Sequence, residues 1–383
     1  MRNSSFQLLA QGLVVSAVSG LLLVGCNGKP ADTAATVAVP GAVSVTVDSA
    51  AATAPAAPAV KPTGPAPAWG PSLKPEMLAV IEQLMSFQPK PLNTLTPAQA
   101  RKQPGPAEAA AKQLRASNIT PPAMQCDTAS QQLGAGPVAR IYTPKTGTAP
   151  FPVVLYYHGG GWVIANLDTY HPSAQALCEQ TGAVVVSVAY RQAPEHKFPA
   201  AHDDSFAAYE WVLKNAASIK GDPARVAVAG ESAGGNLACA VSMMARDRKV
   251  ALPKYQLLVY PIAGYDQNTP SYQKNTASMP LNKAGMGWFF KNYLRTPADG
   301  QDPRINLVTA NLKGLPPTTI IGAEIDPLLS EGKTLADKLT AAGVKVNYQL
   351  YPGTTHEFFG MAAVVPQAKE AQSVAFGDVK GAL

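Results

Sequence analysis

The stretch that decides the fold is "VAVAGESAGGNLA", residues 226–238. Small apolar residues run up to Gly230, give way to Glu231, Ser232 and Ala233, and resume after Gly234 and Gly235. The pattern reads as a buried strand that turns sharply into a helix, with one hydroxyl at the turn. Such a turn strains the backbone of its central residue, and glycines two positions to either side let strand and helix approach closely. Ser232 then projects from the mouth of the sheet, facing the positive end of the following helix. Gly-x-Ser-x-Gly recurs by chance, so the weight rests on context: a strand expected over 224–229 and a helix over 236–246.

A serine hydroxyl is protonated at neutral pH and needs a base, and the base needs a group to orient it. In a strand–turn–helix site of this kind the chain order is nucleophile, acid, histidine. Downstream of Ser232 the sequence holds one histidine, His356, in "YPGTTHEFFG" (351–360), just after the last expected strand. The acid expected is Asp326 in "GAEIDPLLSEG" (322–332), where Pro327 favours an extended or turn backbone at the aspartate. Glu324 is its competitor. Attack on a carbonyl also creates an oxyanion, for which each fixed N–H donor is worth about 10²–10³ in rate. "HGGGW" (158–162) follows a strand directly and spends backbone entropy on three glycines. The expected donors are the amides of Gly160, Gly161 and Ala233.

Outward from this centre, strand-like runs occur at 152–160, 183–191, 224–230, 255–262, 317–326 and 344–353, with helical patterns at 204–218 and 331–343. Alternation of this kind implies a parallel sheet with helices on both faces. The segment 136–144 is expected to add an edge strand. Residues 74–114 and 263–315 break the alternation and are candidates for a lid over the C-terminal edge of the sheet, where open α/β folds bind ligands. Within the second, "AGMGWFFKNYL" (284–294) sets Met286, Phe289, Phe290, Tyr293 and Leu294 either on a packed face or around a pocket.

The 383 residues are 46% apolar and 15% charged, enough for one large domain. A net charge of +6 without any Lys/Arg cluster gives no sign of nucleic-acid binding. Residues 1–25 read as an export signal: Arg2, then an apolar run from Leu8 to Gly25, near the lower length for a membrane span. "LVGC" at 23–26 resembles a bacterial lipoprotein processing site, which would make Cys26 a lipid-bearing membrane anchor. Residues 26–72, rich in Ala and Pro, are expected to form a disordered tether. Beyond Cys26 only Cys126, Cys178 and Cys239 remain, so at most one disulfide can form. Metal-ligand spacings are absent from the sequence.

Taken together, His158–Trp162, Gly230–Gly234, Asp326-Pro-Leu, His356-Glu-Phe and "YRQAPEHKFPAAHDD" (190–204) resemble the hormone-sensitive-lipase-like esterases, bacterial family IV. The resemblance spans residues 73–365. It implies an α/β-hydrolase fold: a mostly parallel eight-stranded sheet, helices on both faces, and a helical cap from residues 73–125 and an insertion at 263–315 in a catalytic domain of 126–383. It also implies hydrolysis of small short- to medium-chain carboxylic esters without metal or cofactor, with His158, Glu195 and Asp204 as structural supports. The family often has Asp where this chain has Glu231. By the same fold, Cys178 and Cys239 lie on opposite faces of the sheet and do not pair. Deacetylase, lactonase or polyester-cleaving activity would use the same residues. A non-catalytic binding protein of this fold would lack the histidine.

Overall fold

Proline spacing shapes the first part of the chain in the computed structural model, which describes residues 60–383. The signal at 1–25, Cys26 and the tether up to residue 59 lie outside the described residues. The last part of the expected tether, 60–72, is not free. Val60 is buried, the backbone amides of Thr63 and Gly64 donate to the Glu82 carboxylate at 2.7 Å, and the Ser72 hydroxyl donates to Glu324 at 3.2 Å. Composition gave no sign of this, because backbone donors and one valine suffice to dock a chain otherwise poor in large side chains.

Residues 74–114, expected to be helical, form three helices: α1 (Pro75–Met85), α2 (Pro97–Ala100) and α3 (Pro106–Ala116). Pro89, Pro91, Pro97, Pro104 and Pro106 lack the N–H that a continuous helix needs. Three of these prolines interrupt, while Pro97 and Pro106 open the next helix, where the missing donor costs nothing.

The sheet contains β1 (Cys126–Gln132), β2 (Val138–Pro144), β3 (Phe151–Tyr157), β4 (Val184–Ala189), β5 (Gly221–Glu231), β6 (Gln256–Val259), β7 (Thr318–Ile325) and β8 (Val346–Thr355). Their spatial order is β1-β2-β4-β3-β5-β6-β7-β8. β1 and β2 run antiparallel to their neighbours, and every pair from β4 onward is parallel. The α/β-hydrolase fold with eight strands is therefore as expected. The edge differs: β2, from the 136–144 segment, is second, and β1 lies outside it. β1 reads "CDTASQQ" and is exposed along most of its length, so it carries no apolar run to betray it.

The remaining helices are α4 (His171–Thr181), α5 (Ala200–Asn215), α6 (Ala233–Asp247), α7 (Pro270–Lys274), α8 (Lys283–Tyr293), α9 (Leu329–Ala341) and α10 (Pro366–Ala382). They divide between two apolar layers. Along β3, Val153, Leu155 and Tyr157 join the layer of α5, α6, α8 and α9, while Val154 and Tyr156 join that of α1, α4 and α10. This is the two-residue alternation of a strand buried on both faces. Cys239 lies in the first layer and Cys178 in the second, so they do not meet. Cys178 instead pairs with Cys126, tying α4 to the exposed strand β1 across 52 residues. In the chain-entropy account a loop of that length is worth about 4 kcal/mol. Among the described residues no helix is long and apolar enough to cross a membrane.

Candidate active site

β5 ends at Glu231 and α6 begins at Ala233, which leaves one residue to make the turn. Ser232 makes it at φ 56°, ψ −117°. The turn is pinned from both sides: Ser232 N–H donates to Val259 at 2.8 Å, and its carbonyl accepts from the amides of Asn236 and Ile262 at 3.1 and 3.2 Å. A Cβ on Gly230 would stand 2.1 Å from the Gly234 oxygen, and one on Gly234 would stand 1.8 Å from that of Tyr157. Both obstacles are backbone and cannot swing aside. The two glycines permit the crossing that presents Ser232.

β7 and β8 bring the other two residues to the same rim. Asp326 follows β7 and is fully buried, with Oδ1 accepting the Leu328 amide at 2.9 Å. His356 follows β8. Its Nδ1 stands 2.6 Å from Asp326 Oδ2, and its Nε2 stands 2.9 Å from Ser232 Oγ. Since the carboxylate can only accept, Nδ1 carries the proton and Nε2 is free to accept from the hydroxyl. Burial pushes His356 toward its neutral form, but Asp326, with smaller contributions from Glu357 and Glu231, outweighs it and raises the imidazole above its ordinary value. Glu324 is elsewhere: Oε2 accepts the Gly353 amide at 2.7 Å and Oε1 the Ser72 hydroxyl at 3.2 Å, so it pins chain segments rather than the histidine.

Across the rim, Gly160 and Gly161 have φ values of 92° and 57° and line the same cavity as Ser232 and His356. The turn is closed by the amides of Val163 and Ile164, both donating to Gly160 O at 3.0 and 2.9 Å. Ala233, fully buried, opens α6 directly after the serine.

The surrounding polar groups are tied into the scaffold. His158 is held neutral by burial, its pKa lowered to about 4, and its Nδ1–H donates to Gly159 O at 2.8 Å. Asp204 accepts the Arg191 amide and guanidinium at 2.8 and 2.7 Å. Glu195 forms a two-pronged pair with Arg101 at 2.8 and 2.7 Å, which ties the N-terminal segment to the strand β4 side. Glu231 is held by two phenols: its carboxyl accepts the Tyr156 hydroxyl at 2.5 Å and the Tyr260 hydroxyl, and burial pushes its pKa up to about 7.

The sequence reading missed three further residues here. The Tyr260 ring lies 4.5 Å from the His356 ring, and Tyr170 donates to Glu357 at 2.6 Å. Only Glu357 carried a signal, its place next to His356.

Both segments that break the strand–helix alternation reach the site. They enclose a cavity of about 190 Å³ with walls that include Leu92, Leu281, Met286 and Phe289. Helix α8 divides the residues singled out on it. Met286 and Phe289 line the cavity, whereas Tyr293 stacks on Trp162 at 4.4 Å and Phe290 packs edge-on to Tyr265 at 5.0 Å. Leu294 is buried in the same layer. Among the described residues no group of three or more His, Cys, Asp or Glu is placed to hold a metal ion.

Known proteins share the fold of this chain. Residues 154–360 match the profile of the α/β-hydrolase fold family. The chain is 42% identical over 248 residues to carboxylesterase NlhH of Mycobacterium tuberculosis, an alignment covering 64% of this chain and 78% of that one. It is 34% identical to an ethyl acetate hydrolase of Pseudomonas putida, with 60% and 74% covered. Among solved structures, the hyperthermophilic esterase from the archaeon Pyrobaculum calidifontis superposes with a TM-score of 0.74 at 35% identity, covering 81% of this chain and 98% of that one.

Proposed function

Because the chain belongs to the α/β-hydrolase fold family and is a carboxylic ester hydrolase, we propose that Ser232 is its nucleophile, His356 its proton carrier and Asp326 the group that orients the imidazole. His356 Nε2 takes the hydroxyl proton as Ser232 Oγ attacks the ester carbonyl. The oxyanion so formed is held by the amides of Gly160, Gly161 and Ala233, since fixed N–H donors at that point need no reorganisation during the reaction. His356 then passes the proton to the departing alcohol oxygen, leaving an acyl-serine. Water enters, gives its proton to Nε2, and attacks the acyl carbon; the carboxylic acid leaves and the serine regains its proton.

The observation that carries this reading is one histidine bridging a hydroxyl at 2.9 Å and a buried carboxylate at 2.6 Å, at the end of a cavity. A cavity of about 190 Å³ suits short to medium acyl groups; one of about 150 Å³ already admits benzene. A p-nitrophenyl ester series on protein lacking the signal tests both parts. Ser232→Ala should lower kcat by about 10⁴ or more, and undiminished turnover would rule the mechanism out. Preference for acyl groups beyond about ten carbons would contradict the small cavity.

The same reading extends to the N-terminus, where Cys26 is the lipid-bearing residue that holds the enzyme on the bacterial envelope. Its support is the apolar run ending in "LVGC" and the Cys126–Cys178 disulfide, a bond that persists in oxidising compartments. A palmitate analogue should label the full-length protein in cells and fail to label Cys26→Ser. Equal labelling of both would sink the anchor.

A further inference from the structure

Glu357 is an unusual choice for its position. Its backbone stands at φ 71°, in the left-handed region where a glycine would sit without strain. Its carboxylate is turned inward, lining the cavity, with Oε1 accepting the Tyr170 hydroxyl at 2.6 Å. Among the described residues its one ion-pair contact is His356 Nε2, at 3.8 Å. That nitrogen faces Ser232. The imidazole thus has a carboxylate on each side: Asp326 at Nδ1 and Glu357 near Nε2.

We propose that Glu357 is a positioning residue for the reaction, a second anion that stabilises the His356 imidazolium from the side of the reacting atoms. The inference rests on the proposed role of His356 as base. Asp326 fixes the tautomer and the ring orientation through a hydrogen bond along the ring plane. Glu357 adds charge without a hydrogen bond to the ring, so Nε2 stays free for the serine proton. The Tyr170 hydroxyl holds the carboxylate at this distance and is itself packed against Gly159, next to the oxyanion glycines.

The other titratable groups facing the pair do not replace it. Glu231, at the end of β5, is occupied by Tyr156 from β3 and Tyr260 beyond β6. Arg101, Lys90 and Glu108 line the same cavity, but Arg101 is held by Glu195, Glu108 accepts the Gly105 amide at 2.8 Å, and neither cation is paired with Glu357. Burial raises the Glu357 carboxyl above its ordinary value, with His356 drawing it back down.

Removing the charge has two effects of opposite sense. The free imidazole protonates less readily, so the acid limb of kcat/KM moves to lower pH. The imidazolium of the transition state loses a counter-ion, so the plateau falls. A packing defect lowers the plateau without moving the limb.

The test is the pH profile of kcat/KM for p-nitrophenyl butyrate with three variants. Glu357→Gln keeps the shape and can still accept from Tyr170. Glu357→Gly relieves the backbone and guards against a variant that misfolds. Glu357→Asp retains the charge. Gln and Gly should each lower the plateau about tenfold and shift the acid limb downward, with Asp recovering most of both. A Gln or Gly profile that superposes on the wild type would overturn the proposal, as would an Asp variant as impaired as Gln. If Ser232→Ala also kept its activity, the failure would belong to the base assignment instead. With Ser232→Ala inactive, only the role of Glu357 would fall.

Discussion

The rim of the sheet and the walls of the cavity are built on different principles. At the rim, Ser232, Asp326 and His356 each follow the end of a parallel strand, and the serine turn rests on backbone contacts that tolerate no side chain at Gly230 or Gly234. The walls come from short helices and proline-interrupted turns, α1–α3 and α8 with the turn before it, which meet only in the folded molecule. One region fixes chemistry through local geometry. The other sets what fits, through packing between segments far apart in sequence. They touch at Gly161, where a Cβ would stand 2.1 Å from the Phe289 ring of α8.

Four substitutions probe that contrast. Asp326→Asn strikes the rim most deeply: an amide at that site can donate to Nδ1 and stabilise the wrong tautomer, and kcat should fall about 10⁴-fold with the fold intact. Circular dichroism alongside steady-state kinetics checks it. Gly160→Ala should cost about 10²–10³ in kcat, because the new Cβ would stand 2.2 Å from the Ile164 backbone oxygen and the oxyanion turn must open. No change elsewhere should rescue it. Gly161→Ala meets a side chain instead, so adding Phe289→Ala should recover part of its loss, about tenfold. The double variant should also accept longer acyl chains than the wild type, read from the ester series. Equal defects in the single and double variants would mean that wall and rim are not in contact as described.

The same contrast explains what could be read from the sequence. Strands rich in Val and Ile, a glycine-flanked serine and a loop histidine are local features, and they name the rim almost completely. β1 escaped because "CDTASQQ" is an exposed edge held by its ladder with β2 and by Cys126, not by an apolar face. The prolines of 74–114 announced breaks that a helical reading smoothed over. The docking of 60–72 depends on Glu82 and Glu324, neither of which the segment itself contains. Met286 and Phe289 parted from Phe290 and Tyr293 only once Trp162 was in place to stack on Tyr293. Glu357 stood in plain view beside His356, but its direction is set by Tyr170, which comes from before α4.

The central claim is that an acyl group passes through Ser232. Rapid-quench mass spectrometry during turnover of p-nitrophenyl butyrate tests it without any variant. The account predicts that the peptide carrying Ser232 gains the mass of one butyryl group before steady state and loses it as substrate is exhausted. A butyryl group on a different residue, while turnover proceeds, would contradict it.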